Sequence, residues 1–265
     1  MTKQEIEAIL HIGLHKTGTT SFQAVMHNHR QDFLDAGIDP YRSPSDEKSG
    51  RAKHGDLAFA VIRKGVLDLD PSDILHSFDQ DTCYERTQKA LAAYISSSEY
   101  DRFLFSTEAL SLLRTSEELE RLKSLFPGSV TKFTIIVVLR DKDEWLKSYY
   151  NQMIKSNLRS SPISTSWLYF GQGTWLLDFE QTIETYRAAC DTVTVLDYDH
   201  DDMVGLIARH LRVNLTINTQ AYRRNKSARF PRAMKKPRSV FRRIFGSEDQ
   251  GIRRRMRDWL ERHHS

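Results

Sequence analysis

HIGLHKTGTTSF, residues 11–22, joins an apolar run to the start of a helical pattern through two glycines, Gly13 and Gly18, five positions apart. Upstream, AILHI at 8–12 reads as a short buried strand. Lys16 lies between the glycines, and Thr17, Thr19, Thr20 and Ser21 crowd the turn with hydroxyls. A strand, a glycine turn and a helix start together form an anion site. The first helical N–H groups have no intrahelical acceptor, and the helix dipole favours negative charge there. Glycine lets the backbone bend and come close to a bound anion. Four hydroxyls and a lysine around one turn count against an ordinary strand–turn–helix with a solvated lysine.

Working outward, the 265 residues are 39% hydrophobic and 28% charged, enough for a sizeable core in one large α/β domain or two small ones. No segment approaches the roughly 20 apolar residues of a membrane-crossing helix. MTKQEIEAIL at the start has no signal-peptide apolar region. The expectation is a cytoplasmic protein with no membrane span and no nucleic-acid partner. Cys83 and Cys190 give neither a metal spacing nor a disulfide framework, and the histidines contain no HExxH, so no metal is expected. The net charge of +4 is uneven: residues 221–265 hold 15 Lys/Arg against 4 Asp/Glu, and the rest hold 24 against 31. A basic end on an acidic body suits an anionic ligand, surface or polymer; a solvated basic tail is the plainer alternative.

Apolar spacing predicts helices over 19–35 (closing at Gly37), 54–64, 82–97, 143–157, 175–190 and 202–213. Thr115 and Glu118 form a capping-box pattern opening a helix that Pro127-Gly128 stops. RFLFS at 102–106 and 193–198 read as strands. FTIIVVL at 133–139 is the strongest, its unbroken apolar run implying burial on both faces in a central parallel strand. Residues 38–49 and 160–166 read as loops, and 68–81 as a polar excursion. Alternating strands and helices indicate a parallel α/β sheet, which binds ligands at the carboxyl ends of its strands.

The glycine spacing is that of a Walker A loop, but the lysine precedes the second glycine by two positions, and Thr19 stands where a Walker loop has its lysine. Gly-x-x-Lys-Thr-Gly-Thr-Thr-Ser resembles the 5′-phosphosulfate loop of sulfotransferases that use 3′-phosphoadenosine-5′-phosphosulfate (PAPS). A second segment supports the resemblance. VVLRDKD at 137–143 ends a strand in Arg140, and Ser148-Tyr149-Tyr150 follows on the next helix, similar to the 3′-phosphate segment of the same family. An arginine can grip a phosphate with two bonds; the alternative pairs Arg140 with Asp141 or Asp143. The resemblance spans about residues 8–213. It lacks the RKG and GxxG of the late 3′-phosphate loop of cytosolic sulfotransferases, for which RRNKS at 223–227 is a weak stand-in.

The resemblance implies a three-layer α/β sandwich with a P-loop-like sulfotransferase fold over residues 1–228, followed by a basic extension over 229–265, partly helical at 251–264. It implies a sulfuryl transfer from PAPS to a hydroxyl or amine acceptor, such as a carbohydrate, lipid or small metabolite. The product is 3′,5′-diphosphoadenosine and no metal is needed. Lys16 would stabilise the leaving oxygen. His15 would line the donor, Thr17, Gly18, Thr19 and Thr20 would hold its 5′-phosphate, and Arg140 and Ser148 its 3′-phosphate. Two residues are open as the base. Glu108 follows the strand ending at Ser106, near where cytosolic sulfotransferases carry a catalytic histidine. His54 opens a helix, and its ordinary pKa suits a base at neutral pH. Trp167, Tyr169, Phe170 and Trp175, around Gly171 and Gly173, form either an acceptor-side lid or core packing. Two other functions compete: a Mg²⁺-dependent P-loop kinase, and a non-catalytic anion-binding module working through the basic tail.

Overall fold

The apolar run at 133–139 is the upper part of β4 (Val130–Leu139). The structure, a computed structural model, describes residues 5–14, 17–43, 54–66, 79–155, 160–169 and 173–219. With β1 (Ile6–His11), β2 (Asp39–Pro40), β3 (Arg102–Ser106) and β5 (Thr192–Asp197), it forms one sheet in the order β2-β3-β1-β4-β5, every neighbouring pair parallel. β4 is interior, as its composition demands, but the middle strand is β1.

Alternate residues of these strands feed two cores. On one face Ala8, Leu10, Phe103, Phe105, Ile135 and Val137 meet α3 (Gly55–Phe59), α4 (Gln80–Ser97), α5 (Ser116–Ser124), α6 (Lys142–Lys155) and α7 (Phe179–Ala189). On the other, Ile9, Leu104, Ile136 and Val138 meet α1 (Thr19–Asn28), α2 (Arg30–Asp35) and α8 (Met203–His210). The result is the three-layer α/β architecture expected. From β1 the chain runs towards β2; from β4 it runs the opposite way, to β5. The connections after these neighbouring strands therefore leave in opposite directions, the topology at whose carboxyl edge such sheets usually bind ligands.

Local differences from the sequence reading have identifiable causes. The helix expected over 19–35 breaks at His29 (φ −122°, ψ 39°), so that α1 and α2 both turn onto one core, with Phe22 and Phe33 edge to face at 6.1 Å. The loop expected over 38–49 contains an edge strand, β2, anchored by buried Asp39, which accepts from Arg30, Tyr94 (2.8 Å) and Ser98 (2.9 Å). Proline is tolerated there because an edge leaves one side of the ladder unpaired. The helix expected over 54–64 stops at Phe59, and the N–H of Arg63 donates instead to the Glu118 carboxylate at 2.7 Å. Residues 175–190 divide into a tight turn, Trp175–Leu177, and α7, whose first turn is capped by Asp178. The capping box of Thr115 and Glu118 forms as read. Residues 67–78 and 229–265 lie outside the described residues.

Candidate active site

The loop after β1 is closed by its own groups. The N–H of Ile12 donates to the Ile136 carbonyl (3.0 Å), adding one rung to the sheet, and Leu14 is buried in the first core. Thr17 is fully buried, and its hydroxyl donates to the Leu14 carbonyl at 2.6 Å. That hydroxyl shapes the loop and is already committed before any ligand arrives. Gly18 follows at φ +86°, a left-handed conformation that a side chain resists; an added Cβ would also stand 3.1 Å from Met203 of α8. No side chain caps α1, so the amides of Thr19 and Thr20 are among those a helix start leaves without an intrahelical acceptor. Thr19 is buried, and Thr20 is half-buried. His15 and Lys16 lie outside the described residues.

The second glycine requirement is steric. A Cβ on Gly13 would lie 2.6 Å from Thr19 Oγ1 and 3.0 Å from His11 Nε2. Gly13→Ala is expected to cost about 1–3 kcal/mol by overpacking, read as a lower melting temperature. An unchanged midpoint would mean that the Thr19 hydroxyl is free to move aside.

Beneath the loop, His11 and Ser106 face each other at the ends of β1 and β3, with His11 Nδ1 2.8 Å from Ser106 Oγ. His11 is fully buried, and burial pushes its pKa down to about 3, so the ring is neutral. Ser106 serves as a hub. Its N–H donates to His54 Nδ1 (2.8 Å), and its carbonyl accepts from Gln23 Nε2 (3.1 Å). Gln23, buried on α1, also reaches Glu108 Oε2 at 3.4 Å. Glu108 opens a short 3₁₀ turn, Glu108–Leu112, whose first amide bond is capped by Thr107. Its carboxylate is half-buried at the carboxyl edge of β3.

The two base candidates therefore differ. His54 is 2% exposed; Nδ1 accepts from Ser106 N–H, and Nε2 donates to the Tyr41 carbonyl at 3.0 Å. Both ring nitrogens are spent on backbone, which ties β3 to the segment after β2 and leaves no lone pair for a substrate proton. His54, the base candidate that opens a helix, is thus held by two backbone bonds, and nothing in its sequence neighbourhood signals the two partners.

Arg140 follows β4 at the same edge. Its Nε donates to Glu144 at 3.1 Å, and its guanidinium lies 4.7 Å over the Tyr198 ring beyond β5. Glu144 also meets His200 at 3.2 Å. Asp141 is not the partner of Arg140; its carboxylate accepts from the amides of Asp143 and Glu144 (both 3.0 Å) and so opens α6. Ser148 is half-buried on α6, two turns on. Trp175 donates to the Ser166 carbonyl (3.2 Å) and lies 5.0 Å from the guanidinium carbons of both Arg63 and Arg114. Trp167 and Tyr169 belong to the same segment, which the Trp167 N–H joins to Val66 (2.9 Å). These bonds are those of packing against the body of the domain; Phe170 and Gly171 lie outside the described residues.

Among the described residues no helix is long and apolar enough to cross a membrane. No protein-family model matches the chain, and no curated protein sequence matches it. Among solved structures, the chain is similar to a sulfotransferase from Alicyclobacillus acidocaldarius, at 11% identity over 89% of this chain and 88% of that one, with a TM-score of 0.47.

Proposed function

We propose that this chain is a PAPS-dependent sulfotransferase acting on a hydroxyl or amine acceptor, with a carbohydrate, lipid or small metabolite as the acceptor class. What supports this reading is that the two segments whose sequences resemble phosphate-binding ones follow neighbouring parallel strands, β1 and β4. His11 pairs with Ile136, so Arg140 stands four residues beyond that row, about 13 Å along the strand direction. The loop after β1 and the residue after β4 thus leave the same edge of the sheet on neighbouring strands, which suits a nucleotide phosphorylated at both ends. The buried, unpartnered Thr19 hydroxyl and the uncapped start of α1 suit a phosphate.

When bound, PAPS supplies the sulfuryl group and departs as 3′,5′-diphosphoadenosine. Transfer is in line: the acceptor oxygen or nitrogen forms its bond to sulfur while the bond from sulfur to the bridging phosphate oxygen breaks. Negative charge grows on that bridging oxygen, by analogy with phosphoryl transfer. Lys16 offsets this charge. The amides of Thr19 and Thr20 hold the 5′-phosphate, and Arg140 with Ser148 holds the 3′-phosphate. Glu108 takes the acceptor's proton, oriented by the Gln23 amide. Positioning and fixed positive charge supply most of the rate.

Incubation with PAPS and a panel of hydroxyl and amine acceptors tests the reading. Release of 3′,5′-diphosphoadenosine that depends on an acceptor supports it; turnover of ATP with Mg²⁺ and none of PAPS overturns it. Arg140→Ala is expected to weaken binding of 3′,5′-diphosphoadenosine about 10- to 100-fold, the cost of a charge-assisted bond, while leaving AMP binding nearly unchanged. Equal losses for the two nucleotides would remove Arg140 from 3′-phosphate recognition.

A further inference from the structure

Two buried polar atoms at the head of β1 and α1 have no hydrogen-bond partner among the described residues: His11 Nε2 and Thr19 Oγ1. His11 is 0% and Thr19 5% exposed, so water does not readily supply the missing bonds. Leaving such groups unsatisfied is costly, and most native proteins avoid it. The two atoms are neighbours, since both lie within 3.0 Å of the point where a Cβ of Gly13 would stand. They meet where the first amides of α1 emerge and where no side chain caps the helix.

The tautomer of His11 follows from its other partner. Ser106 is fully buried, and its hydroxyl meets His11 Nδ1 at 2.8 Å. Its backbone N–H and carbonyl are engaged elsewhere, with His54 and Gln23. If Nδ1 carried the ring proton, the Ser106 hydroxyl proton would lack an acceptor. If Ser106 donates to Nδ1, every atom of that pair is satisfied and the ring proton sits on Nε2. The ring also packs nearly perpendicular to Phe22, at 5.0 Å between centroids, and its Nδ1 contact with Ser106 orients Nε2 away from that serine. Because burial keeps this imidazole neutral, with a pKa of about 3, it donates a hydrogen bond without carrying a charge.

We infer that His11 Nε2–H and the Thr19 hydroxyl form the floor of the loop's anion site and donate together to one oxygen of the bound phosphate. The α1 amides supply the helix dipole, and His11 adds a neutral donor from the strand below. Ser106 acts as a positioning residue that sets the His11 tautomer. This assignment rests on the loop being the site of the donor's 5′-phosphate.

Nitrogen-15 spectroscopy of the full chain, labelled at histidine, tests it. The His11 signal is assigned by its disappearance in His11→Phe or His11→Gln. The ring is expected to be an Nε2–H tautomer that does not titrate near the ordinary histidine value of 6.5. Its Nε2–H resonance is expected to move on adding sodium sulfate and, separately, 3′,5′-diphosphoadenosine. His11→Phe, which keeps the buried bulk, is expected to weaken sulfate binding about tenfold with the fold retained. An Nδ1–H tautomer, a His11 signal unmoved by saturating ligand, or unaltered affinity in a folded His11→Phe overturns the inference. Sulfate that moves His11 while the diphosphate fails to bind supports the floor and contradicts the sulfotransferase reading. The diphosphate binding tightly with His11 unmoved does the reverse.

Discussion

Lys16→Ala is expected to lower turnover of PAPS by about a hundred- to a thousandfold, with the melting temperature close to that of the parent chain. On the proposed reading, the bond between sulfur and the bridging oxygen breaks beside the segment that carries Lys16, and charge would develop on that oxygen. A single fixed donor aimed at developing charge is worth about 3–4 kcal/mol of barrier, and each 1.36 kcal/mol is about tenfold in rate. On the same reading the phosphates would also be held by backbone amides and by Arg140, so the loss should fall on kcat more than on KM. The loop is built by other groups, namely the Thr17 bond to Leu14 and the left-handed Gly18, so folding should survive. Near-parent turnover in Lys16→Ala would remove that residue from the chemistry.

The largest expected effect on stability is at Glu118. Its carboxylate is buried on α5 and accepts from the Arg63 amide (2.7 Å), the Arg63 guanidinium (3.1 and 3.2 Å), the Arg114 amide (2.8 Å) and the Thr115 amide (3.1 Å). Glu118→Ala strands all these donors at once. Breaking one side of a buried ion pair costs about 3–5 kcal/mol, a large part of the 5–15 kcal/mol by which domains are commonly stable. Arg63 also donates to the Leu112 carbonyl (3.1 Å), so the same cluster steadies the 3₁₀ turn that begins at Glu108. Denaturant unfolding of Glu118→Ala and Glu118→Gln measures the effect. The glutamine, which keeps an acceptor oxygen, should lose less than the alanine. An alanine variant within about 1 kcal/mol of the parent would mean that the cluster is not a keystone of the fold.

The main strands were legible because each carries an unbroken or alternating apolar run. RFLFS is β3, and FTIIVVL lies within β4. The capping box of α5 was legible because its two bonds are local, three residues apart. β2 was not, since two residues have no period; what holds them is Asp39, whose partners lie 9 to 59 residues away in the chain. The same holds at the site. The loop after β1 is a local pattern, and Lys16, Gly18 and Thr19 are candidates picked out from spacing alone. His54 cannot be judged that way, because its two partners, Tyr41 and Ser106, are 13 and 52 residues distant. His11 reads as a strand residue within an apolar run. Its partner Ser106 is 95 residues on, and its orphaned nitrogen exists only once β1, β3 and α1 are assembled. A histidine at the carboxyl end of a strand, two residues before a loop glycine, was the available signal.

The most direct test is calorimetric titration with 3′,5′-diphosphoadenosine and, in parallel, with ADP, each with and without Mg²⁺. The proposed pair of phosphate-binding segments, after β1 and after β4, predicts tight binding of the diphosphoadenosine, independent of metal, and weak binding of ADP. Tight binding of ADP that needs Mg²⁺, with the diphosphoadenosine bound weakly, would contradict the sulfotransferase assignment and point to a phosphotransferase.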